Sequence, residues 1–416
     1  MVVNAKEQVF WTSINSVPAQ YPWITENIEC EVAIIGGGIT AALCALRFAQ
    51  AGYDTVMVGA SPIGFGATST ASGMMSIDGE QAIASLVDEI GADRAMMAVG
   101  LKSQALDNIE KMCGEFDDNC GFKRMDSLRY TPDAKNASFL RREYSLRLHN
   151  KIDTELITKL NSAEQFTFPI EAGVYSKGAG AQIDPYRFVH AVVSKALGEG
   201  ARIYENTAVH NIDKDNRDYL ILECQRERQI RCKYAIVAAG LETEEYVKGI
   251  DRTASICTVV TEPLSDFPGW RGPCLIYSEG SPMVFLTVTP DNRIMISGLA
   301  NPSVLENPYF SRLLDMIPVS ERRYEQLEKK LRSMFPAIRN ITVEYVYTSR
   351  NGRTEDGLPV IGKKPDDERI AYALCCGADG ILYSEIASRL LLDQYEGKAN
   401  REMGLFSPGR EWRVLH

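Results

Sequence analysis

The clearest pattern near the start of the chain is a short, wholly apolar run, Val32-Ala-Ile-Ile35, that stops at Gly36-Gly-Gly38. Apolar residues at helical spacing follow at once: Ala42, Leu43, Ala45, Leu46 and Ala49. A continuous apolar run ended by glycine predicts a buried parallel strand, and the spacing after it predicts an amphipathic helix. A second strand is expected at Thr55 to Val58. Residues 81–112 carry apolar positions at helical spacing and read as one helix. Tyr186 to Leu197 reads as another, ending at Gly198 and Gly200. Strand signals come next near Arg202 to Tyr204, Ala208 to Ile212 and Tyr219 to Cys224. The run Tyr234-Ala-Ile-Val-Ala-Ala-Gly240 is a further buried strand ending in glycine.

From Ser255 to Leu299 the pattern changes. Strand-like runs succeed one another without long helices: Ile256 to Thr261, Cys274 to Tyr277, Val284 to Val288 and Ile294 to Ser297. Turn chemistry such as Pro290-Asp-Asn292 separates them, which predicts an antiparallel sheet. Glu321 to Met334 is an amphipathic helix, 344–362 returns to strands and glycine turns, and Ile381 to Tyr395 is the last long helix. Residues 1–30 read as an irregular arm anchored by Trp11, Tyr21 and Trp23. The expected class is α/β (α+β overall), a Rossmann-like nucleotide domain with an inserted antiparallel-sheet domain. The nucleotide domain is placed at 1–90, 180–255 and 345–416, and the substrate domain at 91–179 and 256–344.

Charge and composition remove several classes. A formal net charge of -10 over 416 residues argues against binding nucleic acid or an anionic membrane. Basic pairs such as Arg141-Arg142, Arg322-Arg323 and Lys329-Lys330 lie within mixed-charge helical patterns and read as solvated faces. No apolar run reaches the roughly 18 residues that span a membrane. No basic, apolar leader opens the chain, so a cytoplasmic protein is expected. The ten cysteines form no C-x-x-C pair, so zinc and a disulfide framework are not expected. Four scattered histidines leave little for a histidine-based hydrolase or a metal site.

The glycine turn carries the first chemical proposal. Gly36 permits the turn, and Gly38 lets backbone approach a pyrophosphate. Gly37, Ile39 and Thr40 complete it, and Ala41 is small enough for the helix to pack on the strand. The helix N-terminus offers N–H groups to phosphates. The fingerprint expects an acid on the ribose at the end of the second strand, where Gly59-Ala60-Ser61 stands instead. Loss of that bond costs about 1.5–3 kcal/mol, which a ligand with many other contacts can absorb.

Four blocks in order make the likeness specific. They are Ile34-Ile-Gly-Gly-Gly-Ile-Thr-Ala41 and Pro62-Ile-Gly-Phe-Gly-Ala-Thr-Ser-Thr-Ala-Ser-Gly73, then Ile183-Asp-Pro-Tyr-Arg-Phe188 with the strand end Val237-Ala-Ala-Gly240. The fourth is Thr354-Glu-Asp-Gly-Leu-Pro-Val-Ile-Gly362 with Gly377-Ala-Asp-Gly-Ile381. The closing Leu405-Phe-Ser-Pro-Gly-Arg410 also fits. The chain resembles the FAD-dependent oxidoreductases of the D-amino-acid oxidase type, the group with glycine and sarcosine oxidases. The resemblance implies non-covalent FAD. It assigns to the cofactor Gly36 to Ala41, Gly59, Ala60, Ser61, Gly66, Ala67, Thr68, Ser69, Gly73, Val209, Ala239, Gly240, Gly357, Gly377, Ala378, Asp379, Gly380 and Ile381. It also implies that the last helix points its N-terminus at the flavin's pyrimidine edge. The chain departs from the pattern at Gly59, at Cys375-Cys376, and near Leu382, where some sarcosine oxidases carry a lysine.

The implied activity is oxidation of a C–N bond in an amino acid or small amine by hydride transfer to flavin. A substrate carboxylate would want an arginine. The family's position is Asn351, so its neighbours Arg350 and Arg353 become the candidates, with Arg293 behind them. Tyr277, Met283 and Phe285 could line the site from the inserted sheet. The alternatives are a dehydrogenase with another electron acceptor, and a degenerate flavin-binding or non-catalytic subunit. The expected partner is a small molecule.

Overall fold

The computed structural model describes residues 5–240, 252–280, 283–299, 319–354, 356–375 and 377–410, with a few side chains inside strands left aside. The strand Val32–Ile35 is buried at every position and lies at the centre of a six-stranded sheet. The order across this sheet is Val360–Lys364, Asp367–Leu374, Tyr234–Val237, Val32–Ile35, Thr55–Val58, Arg202–Tyr204. All neighbours are parallel except the first two. Both faces are covered, which is why these strands are apolar throughout rather than alternating. One face carries the helices Ile39–Gln50, Pro185–Gly198, Ala92–Gly114 and Gly380–Tyr395. The other is covered by a four-stranded sheet built from Val209–Asp213, Leu220–Cys224, Arg228–Cys232 and Ile28–Glu29.

A ten-stranded sheet forms the rest. It contains the expected run from Arg252–Thr261 to Ile294–Leu299, together with Val343–Arg353, Lys123–Thr131 and Ala172–Gln182. The expectation was an antiparallel sheet, and most pairs are antiparallel. Two are not: Lys6–Glu7 runs parallel to Val343–Arg353, and Leu275–Ser278 parallel to Lys123–Thr131. The helix Val319–Met334 packs Tyr324, Leu327, Leu331 and Met334 into this sheet's own core. Two edges of the proposed partition cross over. Met74–Ser76 joins the larger sheet, and the helix Ala92–Gly114 packs in the nucleotide core.

The single helix expected over 81–112 is two, Ile83–Ile90 and Ala92–Gly114. Gly91 at φ 84° ends the first in a left-handed cap, a conformation glycine adopts without a Cβ penalty. In the arm, Trp11 and Tyr21 are buried, but Trp23 is half exposed, with the Arg226 guanidinium over its ring. Trp23 is therefore not an anchor.

Candidate active site

The glycine turn forms as its sequence requires. Gly36 donates to the Val58 carbonyl at 2.8 Å, and Ala238 to that of Ile35 at 2.8 Å. A Cβ on Gly36 would lie 2.3 Å from the Ala238 carbonyl oxygen, so no other residue fits there. Ile39 begins the helix Ile39–Gln50, with Gly38 as its N-cap. The Ile39 N–H donates to the Thr68 hydroxyl at 3.2 Å, which brings the Gly66–Ser69 loop against the helix start. Gly64 bonds the Gly37 carbonyl at 2.9 Å. The Ser69 hydroxyl is taken up by its own turn, on the carbonyls of Phe65 and Gly66. Gly73 receives the Ile183 N–H at 3.0 Å, and Trp11 from the arm bonds the Ala71 carbonyl at 2.7 Å. Ala60 and Ser61 are exposed at the end of the second strand, while Val209 is buried in the four-stranded sheet. A Cβ at Gly66 or Gly240 would meet no atom of the described residues within 4 Å, and Ala239 beside Gly240 is half-buried.

Gly59 does not hold a positive φ. It is crowded instead. A Cβ would lie 3.1 Å from the Ser61 carbonyl and 3.2 Å from the Gly37 Cα.

A second cluster lies beside the same end of the helix Ile39–Gln50. Thr40 and Ser384 share a hydroxyl bond of 2.7 Å, joining the glycine turn to the helix Gly380–Tyr395. At the head of that helix is a cavity open to solvent. Gly357, Leu358, Gly377, Ala378, Asp379 and Tyr383 line one side of it. The turn around Gly357 is clamped by the far end of the chain. Arg410 donates to both oxygens of Asp356, at 2.7 and 2.9 Å, and to the Leu358 carbonyl at 2.8 Å. Burial works against the Asp356 charge, but Arg410 outweighs it and holds the carboxyl below its ordinary pKa. Ile381 turns into the core and Gly380 sits in the first helical turn.

The lining also takes in residues the sequence reading missed: Glu80, Gln81, Leu86 and Lys102. Lys102 pairs with Asp379 at 3.1 Å, and its ammonium lies 6.0 Å from the centre of the Tyr383 ring. Gly79 packs directly on the Asp379 carboxylate, where a Cβ would approach to 1.9 Å. Behind Gly79 is a buried charge network. Arg129 donates to the carbonyls of Asp78, at 3.2 Å, of Gly79 and of Glu80, and pairs with Glu279. Asp78 meets Arg147 at 2.9 Å and the hydroxyls of Ser76 and Ser127 at 2.6 and 3.2 Å. Complete burial opposes its charge, yet Arg147 and Arg129 keep its pKa below the ordinary value. Burial makes Tyr277 and Tyr383 much weaker acids than free tyrosine, and the Asp379 charge adds to this. Both stay protonated at neutral pH.

Two of the arginine candidates, Arg350 and Arg293, do not enter this arrangement. Arg350 is exposed on Val343–Arg353, and the lining there comes from Gly352 and Thr354. The reason is register: opposite Ser255, the Arg350 side chain falls on a solvent-facing position. The Arg353 side chain lies outside the described residues. Arg293 is a structural ion, bonded to Asp291 at 2.6 Å, to the Thr261 carbonyl at 2.9 Å and to Glu344. Tyr277 and Phe285 are buried in an apolar cluster, and Met283 packs on it. A signal for Lys102 was available. It is the one charged residue on the buried stripe Ala95, Ala98, Leu101, Ala105, Leu106, Ile109.

The glycine turn and the cavity at the head of Gly380–Tyr395 are thus joined through the Thr40–Ser384 bond. Gly66, where a Cβ would meet nothing within 4 Å among the described residues, leaves open backbone beside the turn, which suits a dinucleotide's phosphates. The family model described as FAD dependent oxidoreductase matches residues 31–394. The chain belongs to this family. FAD is accordingly the cofactor of this oxidoreductase. It is 24% identical to the gamma-glutamylputrescine oxidoreductase of Escherichia coli (strain K12), over 92% of this chain and 87% of that one. It is 23% identical to YhfW of Bacillus subtilis (strain 168), named as a Rieske 2Fe-2S iron-sulfur protein, over 98% of this chain and 76% of that one. The crystal structure of glycine oxidase from Geobacillus kaustophilus shares the fold, with a TM-score of 0.73 and 19% identity, over 92% of this chain and all of that one. No helix among the described residues is long and apolar enough to cross a membrane.

Proposed function

We propose that this oxidoreductase oxidises a C–N bond of an amino acid or other small amine, with hydride leaving the carbon beside nitrogen for FAD. Bound flavin supplies the two-electron acceptor. The observation that carries the reading is the cavity at the head of Gly380–Tyr395, placed against the Gly357 turn and joined by Thr40 to the glycine turn. N–H groups at a helix start favour negative charge, which develops on a flavin as it is reduced. Leu86, Leu358, Pro359 and Leu374 make apolar walls that exclude water from a reacting carbon. Among the described residues no histidine lines the cavity, which is compatible with an amine that binds neutral. The names of the relatives, a glycine oxidase and a gamma-glutamylputrescine oxidoreductase, support the same class.

The test is spectroscopic. Purified protein should show the two visible bands of oxidised flavin, and an anaerobic amine substrate should bleach them. Glycine, sarcosine, D-amino acids and polyamine derivatives form the panel. Flavin that no amine on the panel reduces would sink the proposal. The iron–sulfur name of one relative supports a second reading, in which electrons pass to an iron–sulfur partner rather than to oxygen. Oxygen uptake compared with dye reduction during turnover separates the two.

A further inference from the structure

The cavity's cation comes from the long helix Ala92–Gly114. Lys102 is nine-tenths buried and more, and a lysine is rarely so unless it is paired. Its partner, Asp379, is the N-cap residue of Gly380–Tyr395, yet its side chain makes no capping bond to that helix. The carboxylate is turned instead toward Lys102 and the Gly79 backbone. Both members of the pair line the cavity. Without Lys102 the Asp379 carboxylate would stand at the head of this helix with no other ion-pair partner among the described residues. That is the wrong sign for a group that gains negative charge on reduction. The helix start attracts such charge, and an unpaired Asp379 would cancel the attraction.

We propose that Lys102 is the charge-setting residue of this site: it neutralises Asp379 at the head of the last helix and so raises the reduction potential of the bound flavin. The proposal rests on the flavin ring lying in this cavity, as the proposed function has it. Lys102 is a positioning residue, acting through Asp379. The route is short because Gly79, fixed by Arg129, packs directly against the Asp379 carboxylate.

The test measures the potential of the flavin in the holoenzyme by equilibration with reference dyes. K102M should lower the reduction equilibrium constant at least tenfold, about 30 mV for a two-electron couple. D379N should raise it. The double variant K102M/D379N should return to within threefold of the natural protein, and K102R should stay close to it. K102M that keeps its flavin at an unchanged potential would overturn the proposal. So would D379N shifting the potential in the same direction as K102M. Should K102M not fold, D379N decides alone: a raised potential supports the assignment and an unchanged one overturns it. Natural protein that purifies without flavin overturns the cavity reading and this proposal with it, whereas an unchanged potential leaves the cavity reading standing.

Discussion

Gly59 shows how one position separates chemistry from sterics. A glutamate there would supply the ribose-binding acid the fingerprint expects. Its Cβ, however, would press on the Gly37 Cα and the Ser61 carbonyl. Overpacking of this kind costs about 1–3 kcal/mol, as much as the added bond would return. Gly59→Glu is therefore expected to weaken FAD binding and lower the melting temperature, as read by FAD titration of the apoprotein and by thermal melts. A tighter complex in a well-folded variant would mean that the turn relaxes freely. Arg350 gives the opposite case. It is exposed and outside the cavity lining, so Arg350→Met should change the Michaelis constant by no more than about twofold, within the usual range for surface substitutions. A rise above tenfold for a carboxylate-bearing substrate alone would return it to the site.

At the scale of elements, the turn at Asp356–Pro359 depends on an arginine from the far end of the chain. Arg410 is nearly buried and makes three bonds there. Removing one partner of a buried pair strands the other, so Arg410→Met should cost about 3–5 kcal/mol and reduce flavin retention. Urea denaturation followed by flavin fluorescence reads both effects. The pair also has a pH signature. The folded pKa of Asp356 lies below its ordinary 3.8. Its contribution is complete above that value and is lost as pH falls through the folded one. Melting temperatures taken from pH 6 down to pH 3 should therefore fall less steeply in Arg410→Met than in the natural protein. Parallel curves would show that the pair is screened.

At the scale of the whole molecule, the wall of the cavity is held by a buried network that spans elements distant in sequence. Glu143 accepts the N–H groups of Ile83 and Ala84 at 3.2 and 2.7 Å, and so caps the helix Ile83–Ile90. Arg147 links Glu143 to Asp78, and Arg129 fixes the backbone from Asp78 to Glu80 against Glu279. Arg147→Met should cost about 3–5 kcal/mol, since it leaves two carboxylates in the interior. Adding Asp78→Asn should recover part of that loss in urea denaturation. A double variant no more stable than the single would show that the serine hydroxyls around Asp78 already suffice.

The parallel nucleotide sheet was legible because burial on both faces leaves strands apolar without interruption, as at Val32–Ile35 and Tyr234–Val237. The glycine turn was legible because steric exclusion acts locally, between Gly36 and the strand ends beside it. The segment from 123 to 182 gave no such signal. Its strands bury Arg129, Ser127 and Thr131, and their charge is balanced by Asp78 and Glu279, which no local pattern reveals. The break at Gly91 was hidden for a related reason: helical spacing continues on both sides of it, and only the turn's φ separates the two helices. The sequence by itself determined the nucleotide fold and the cofactor. Tertiary structure alone decided which charges face the cavity. Lys102 and Asp379 stand 277 residues apart, and a salt bridge depends on distance in space, to which spacing along the chain is blind.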